Sequence, residues 1–144
     1  MEDDLAMDQK QTMLSSVPLF AGLGSRDLGR IARLCDEVDV RSGFVITREG
    51  ASASEFFVIL AGRIGIDRGG QHLRDLGPGD YLGEMALLAK GPRTATATAL
   101  EPTRLLVLTR PEFNELLLDF PKIQAAVLRT MAARVMTLET DPRH

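Results

Sequence analysis

The residues best suited to chemistry stand together in Gly79-Asp80-Tyr81-Leu82-Gly83-Glu84-Met85-Ala86-Leu87-Leu88-Ala89-Lys90-Gly91-Pro92-Arg93-Thr94-Ala95. Glu84–Leu88 is compatible with a short helical turn, and Gly83 precedes it. Without a side chain, Gly83 lets a ligand approach the backbone closely. The N–H groups of Met85, Ala86 and Leu87 would then point out of the helix start, which suits an anion. Arg93, after Pro92, offers a planar fork of donors that matches two phosphate oxygens. One arginine and one helix start nearly balance a singly charged phosphate, which points to a phosphodiester rather than a triphosphate. The Gly-rich loop ending in Lys-Ser/Thr that serves nucleoside triphosphates is missing from the sequence. Thr94 adds a hydroxyl. Neighbours on a strand face opposite ways, so Arg93 and Thr94 can serve one ligand only where the strand is not yet regular. Glu84 has two readings. A carboxylate beside a phosphate would repel it, so Glu84 could accept a hydrogen bond from a sugar hydroxyl, or it is simply a favourable charge at a helix N-terminus.

The elements that must hold these residues fall into three stretches: helical, strand-rich, then helical again. Residues 1–16 read as a helical or mobile extension, with Leu5, Met13 and Leu14 on a ragged face and Pro18 interrupting it. A better helix is predicted from Ser25, as its N-cap, through Leu28, Ile31, Ala32 and Cys35. From Val38 to Leu108, short apolar runs alternate with glycine-containing turns. The runs are Phe44–Thr47, Phe56–Leu60, Arg63–Asp67, His72–Leu76, Thr94–Leu100 and Leu105–Leu108. Their length and spacing predict a mainly β fold with flanking helices, an antiparallel jelly-roll barrel. Phe56-Phe57-Val58-Ile59-Leu60 is apolar on both faces and predicts a buried central strand. Pro111 fits the first turn of a helix carrying Phe113, Leu116, Leu117 and Phe120. Pro121 starts a last helix running to about Thr140. There Leu128, Met131, Val135 and Leu138 recur at spacings of 3, 4 and 3, a short heptad-like seam for packing on the barrel or for a homodimer contact. The domain is expected over residues 17–140, with the β-roll at about 38–109 and the C-terminal helices at 111–140.

A chain of 144 residues, 44% apolar and 26% charged, has the material for one core. Its net charge of −3 and scattered Lys and Arg argue against direct binding of duplex DNA. No apolar run approaches the roughly 18 residues that span a membrane. Met1-Glu2-Asp3-Asp4 is acidic, unlike the start of a secretory signal, so a cytoplasmic protein is expected. Cys35 is the only cysteine; core packing and a reactive thiol are both open to it. His72 and His144 form no Cys/His cluster, and no metal is expected.

Gly83-Glu84-Met85-Ala86-Leu87-Leu88 followed by Pro92-Arg93-Thr94-Ala95 closely resembles the phosphate-binding cassette of the cyclic-nucleotide-binding domain family, which includes the bacterial catabolite activator protein, protein kinase A regulatory subunits and nucleotide-gated channels. The resemblance extends over about residues 17–140, including Pro18-Leu19-Phe20 and the Leu60-Ala61-Gly62-Arg63-Ile64 turn. It implies a β-roll, or double-stranded β-helix, with N-terminal helices and C-terminal hinge and lid helices, holding cAMP or cGMP as a ligand rather than a cofactor. It implies that Glu84 takes the ribose 2′-hydroxyl, that Arg93 pairs with the cyclic phosphate, and that Thr94 and the amides near Met85–Leu87 complete the site beside Ala95. Arg134 matches a family arginine near the ribose carboxylate, and the last helix becomes a lid over the base. The family's Thr-Ser pair of base readers is replaced by Leu138 and Glu139, so Leu138 offers only apolar contact to the purine. The chain ends about where the transcription factors begin a helix-turn-helix, so output is expected through an unknown effector or a dimer.

Three functions compete. A ligand sensor would shift its last helix when nucleotide binds, by no more than the ligand's preference for one arrangement. A ligand-free interaction or dimerisation module could keep the same fold, although Glu84 and Arg93 are both retained. An enzyme on a cupin-like barrel would need a metal cluster or a nucleophile-base pair, which His72 alone does not supply. No catalytic residue is expected.

Overall fold

The computed structural model describes residues 10–52, 54–83 and 92–140; within the last helix, side chains are described through 129 and at 132 and 133. The short helix expected at Glu84–Leu88 lies outside the described residues. In chain order the elements are α1 (10–15), a 3-10 turn (Pro18–Phe20), α2 (Ser25–Leu34), β1 (Asp36–Val40), β2 (Val45–Thr47), β3 (Glu55–Ala61), β4 (Ile64–Arg68), β5 (Gln71–Leu76), β6 (Tyr81–Leu82), β7 (Thr96–Ala99), β8 (Thr103–Thr109), α3 (Arg110–Asp119) and α4 (Pro121–Thr140).

The strands form two four-stranded antiparallel sheets, ordered β1-β8-β3-β6 and β2-β7-β4-β5. Apart from the β4–β5 hairpin, successive strands cross from one sheet to the other, the order of a jelly roll. The expected fold class is therefore the observed one. Residues 56–60 do form a central strand: β3 lies between β8 and β6, with Phe57 opposite Val107 on one side and Leu82 on the other.

Side-chain alternation along β3 and β8 creates two cores from one pair of strands. Phe57, Ile59, Leu105 and Val107 point between the sheets, where they meet Ile64, Ile66, Leu76, Leu82 and Ala97. Phe56, Val58, Leu106 and Leu108 point outward and are covered by the helices. That outer layer holds Phe20, Phe113 and Phe120, with Leu14 of α1 fully buried beneath it. Phe56 stacks on Phe113 at 4.6 Å and meets Tyr81 edge-tilted at 5.6 Å.

The turn between β3 and β4 needs glycine. Gly62 has φ +97°, and a Cβ there would lie 2.4 Å from Thr103 Oγ1 and 2.7 Å from the Pro102 carbonyl oxygen. One helix start differs from expectation. Ser25 is the first helical residue, not the cap; Gly24 holds the cap position, and its carbonyl accepts from the Leu28 N–H at 3.0 Å. At α3, beside the expected Pro111, Thr109 and Glu112 form a capping box, the carboxylate accepting from the Thr109 N–H and hydroxyl at 3.0 Å each.

Candidate functional site

The site begins where β6 runs out against β3. Gly83 follows β6 with φ +98°, and a Cβ on it would sit 2.5 Å from Arg93 Nη1 and 2.8 Å from the Glu55 carbonyl oxygen. Only a residue without a side chain fits there. Arg93 arrives from a distant part of the chain and is 7% exposed, although it is a charged residue. Its Nη2 donates to the Glu55 carbonyl at 2.6 Å, and its guanidinium carbon stands 5.7 Å from the centre of the Phe57 ring. A charge-assisted hydrogen bond and a ring face thus fix the guanidinium's position. Gly83, Glu55, Phe57 and Arg93 converge at the rim of the inner core.

The backbone of Arg93 is held as well. Its N–H donates to the Ala51 carbonyl and its own carbonyl accepts from Gly50 N–H, both at 2.8 Å. This pair clips the segment before β7 to the turn after β2. Further along, Arg68 Nε donates to the Thr94 carbonyl at 2.9 Å, and the Glu49 N–H donates to Thr96 Oγ1 at 3.0 Å. Glu49 also accepts from the Gly69 N–H at 2.9 Å, tying the tip of the β4–β5 hairpin to the same rim.

Regular strand starts only at Thr96, so Arg93 and Thr94 lie in the irregular approach to β7. This meets the condition under which both could face one ligand. Thr94 is exposed, while Ala95 is half-buried against the inner core. Glu84, Met85, Ala86 and Leu87 lie outside the described residues. Arg134 and Leu138 fall within α4, but their side chains lie outside the described set, as do those of Met131 and Val135 in the seam. Leu128, the seam's first member, is 51% exposed.

Two contributors were not singled out in the sequence. The Glu55 carbonyl is a backbone group and has no sequence signature. Phe57 had one only as a core residue, and its second use as a platform for Arg93 depends on which face of β3 meets the Arg93 segment. The other chemically capable side chains serve elsewhere. Cys35 is buried, and burial pushes its thiol from 9.0 up to about 12, so it packs as an apolar group. His72 is exposed on β5, with Nδ1 3.0 Å from Asp67 and Nε2 2.8 Å from Asp75. Among the described residues no three His, Cys, Asp or Glu side chains converge as a metal site would require, and no helix is long and apolar enough to cross a membrane.

The chain is similar to known proteins over most of its length. A family model described as the cyclic nucleotide-binding domain matches residues 37–120. A cyclic nucleotide-gated potassium channel of Rhizobium etli is 35% identical over 122 residues, covering 85% of this chain and 34% of the channel. A CRP-like cAMP-activated global transcriptional regulator of Mycobacterium tuberculosis is 26% identical, covering 85% of this chain and 57% of the regulator. Among solved structures, cAMP-bound PfPKA-R superposes with a TM-score of 0.86 at 25% identity, over 96% of this chain and 49% of that one. The catabolite activator protein of Thermus thermophilus gives 0.73 at 31% identity, over 85% and 59%. The chain thus spans about a third of the channel and little more than half of the regulator.

Proposed function

Because the chain belongs to the cyclic nucleotide-binding domain family, we propose that it binds a cyclic nucleotide, cAMP before cGMP, and reports binding through movement of α4. The observation that carries this reading is Arg93: a buried guanidinium oriented by the Glu55 carbonyl and the Phe57 ring, at a wall that Gly83 keeps open. A planar cation held in advance in a low-dielectric rim pairs well with a singly charged phosphodiester, because little ordering remains to be done when the ligand arrives.

In this reading Arg93 and Thr94 take the cyclic phosphate with the amides of Met85, Ala86 and Leu87, and Ala95 packs beside them. Glu84 accepts from the ribose 2′-hydroxyl and pairs with Arg134. Leu138 covers the purine by apolar contact, so discrimination between bases is weak at that position. The domain performs no catalysis; its output passes to an effector protein or to a second copy. The named binding of cAMP by PfPKA-R and the cAMP activation of the mycobacterial regulator support the choice of ligand class.

A thermal-shift comparison of cAMP, cGMP and a cyclic dinucleotide tests the reading. At about a hundred times the Kd, a ligand stabilises by about 2.7 kcal/mol, or roughly ten degrees for a domain of this size. cAMP or cGMP is expected to give that rise and the dinucleotide none. A flat response to both mononucleotides would favour the ligand-free interaction module.

A further inference from the structure

The strand that leads into Gly83 has only two residues, and they face opposite ways. Leu82 points into the inner core between the sheets; Tyr81 points into the outer core under the helices. β6 is held to β3 by two register pairs, Phe57 with Leu82 and Val58 with Tyr81. Tyr81 is 8% exposed, and its ring leans on Phe56 at 5.6 Å. Its hydroxyl donates to the Ala126 carbonyl of α4 at 3.4 Å. A carbonyl has two lone pairs, so Ala126 can accept this bond beside its helical one.

The place of that bond on α4 is informative. The helix has 20 residues, which makes it about 30 Å long. Ile123 and Val127 are fully buried and Ala126 is partly buried. Beyond them, the described side chains Leu128, Arg129, Ala132 and Ala133 are exposed. Tyr81 therefore meets α4 at the last turn whose described side chains dock on the barrel.

We infer that Tyr81 is a positioning residue that couples the Gly83–Arg93 site to α4, with the Tyr81–Ala126 contact as the fulcrum of the helix. A displacement of Gly83 reaches the Tyr81 ring within two residues, because Leu82 and Tyr81 are the whole of one short strand that ends at Gly83. The hydroxyl then acts at the last docked turn described, and a small shift there swings the helix beyond it. This inference rests on the proposed nucleotide-driven movement of α4.

Tyr81 is the only tyrosine, and the chain has no tryptophan. Intrinsic tyrosine emission therefore reports on this one hydroxyl. Nucleotide is expected to change the emission of the wild-type chain and, in parallel, amide hydrogen exchange in α4 beyond Ala126. Tyr81→Phe keeps the ring and removes only the hydroxyl. It should unfold within a few degrees of wild type and bind cAMP or cGMP with a Kd within about threefold, while the nucleotide-induced change in α4 exchange shrinks roughly two- to tenfold, the loss of one hydrogen bond. A Tyr81→Phe chain that shows the full wild-type change in α4 overturns the coupling and leaves the binding reading intact. A wild-type chain that binds nucleotide with no change in α4 overturns the coupling and the helix movement together. A wild-type chain that binds neither nucleotide removes the functional reading and this inference with it.

Discussion

The two faces of β3 and β8 make opposite kinds of core. Between the sheets the buried hydrophobic side chains among the described residues are aliphatic apart from Phe57, and a guanidinium is set into the rim against that ring. On the helix side, Phe20, Phe56, Tyr81, Phe113 and Phe120 pack with a buried thiol. Aromatic rings fill volume and resist rearrangement, so the outer layer makes a firm bearing for the helices. The inner layer meets a charged, hydrogen-bonded rim, which is what a polar ligand needs. One strand pair therefore carries the proposed binding rim on one face and the helix layer on the other, and neighbouring residues such as Phe56 and Phe57 belong to different cores.

Gly83→Ala is expected to break the inner region with the largest effect. The new Cβ would meet the Glu55 carbonyl at 2.8 Å and Arg93 Nη1 at 2.5 Å, in a backbone conformation with φ +98°. The strain costs on the order of 1–3 kcal/mol. Relief by moving the guanidinium removes the group proposed to hold the phosphate, so calorimetry should find nucleotide binding reduced by up to about 150-fold, the full loss of the charge-assisted pair, on top of the lost stability. An alanine variant with wild-type affinity would show that the wall at Gly83 is not part of the site.

A smaller effect sharpens the outer region through pH. The Cys35 thiol titrates at about 12 in the folded chain and near 9.0 when unfolded, chiefly because burial disfavours the thiolate. Between those values the folded chain keeps a proton that the unfolded chain releases. The contribution to stability is thus complete below pH 9.0 and declines as pH rises toward 12, by at most about 1.4 kcal/mol per pH unit. Urea unfolding in that alkaline window should show the decline in wild type and a shallower one in Cys35→Ala. Equal slopes in the two chains would mean that burial does not hold the thiol protonated.

Much of the fold was legible because its strands are short apolar runs set off by glycine-containing turns. The double-sided run at Phe56–Leu60 gave away the central strand, and prolines at 111 and 121 marked the last two helices. β1 was not legible. Asp36, Glu37 and Asp39 make it look like a loop, yet it is an edge strand, where charge is tolerated and Arg104 reaches Asp39 at 2.9 Å and Glu37 at 3.5 Å. β6 was missed because two residues carry no period. At the site, Gly83 and Arg93 were visible as residue types with matching chemistry. What orients Arg93 was not: a backbone carbonyl on β3 and a ring whose facing depends on strand register. The 3-10 turn at Pro18–Phe20 and the buried Leu14 likewise depend on tertiary docking that a ragged apolar pattern does not announce.

The central claim is that Arg93 holds the phosphate of a cyclic nucleotide. Titration calorimetry of wild type, Arg93→Ala and Arg93→Lys with cAMP and cGMP measures it directly. Loss of a charge-assisted pair predicts affinity about ten- to 150-fold weaker in Arg93→Ala. Arg93→Lys should fall between, because lysine keeps the charge and loses the fork. An Arg93→Ala chain that binds cAMP or cGMP as tightly as wild type would contradict the account.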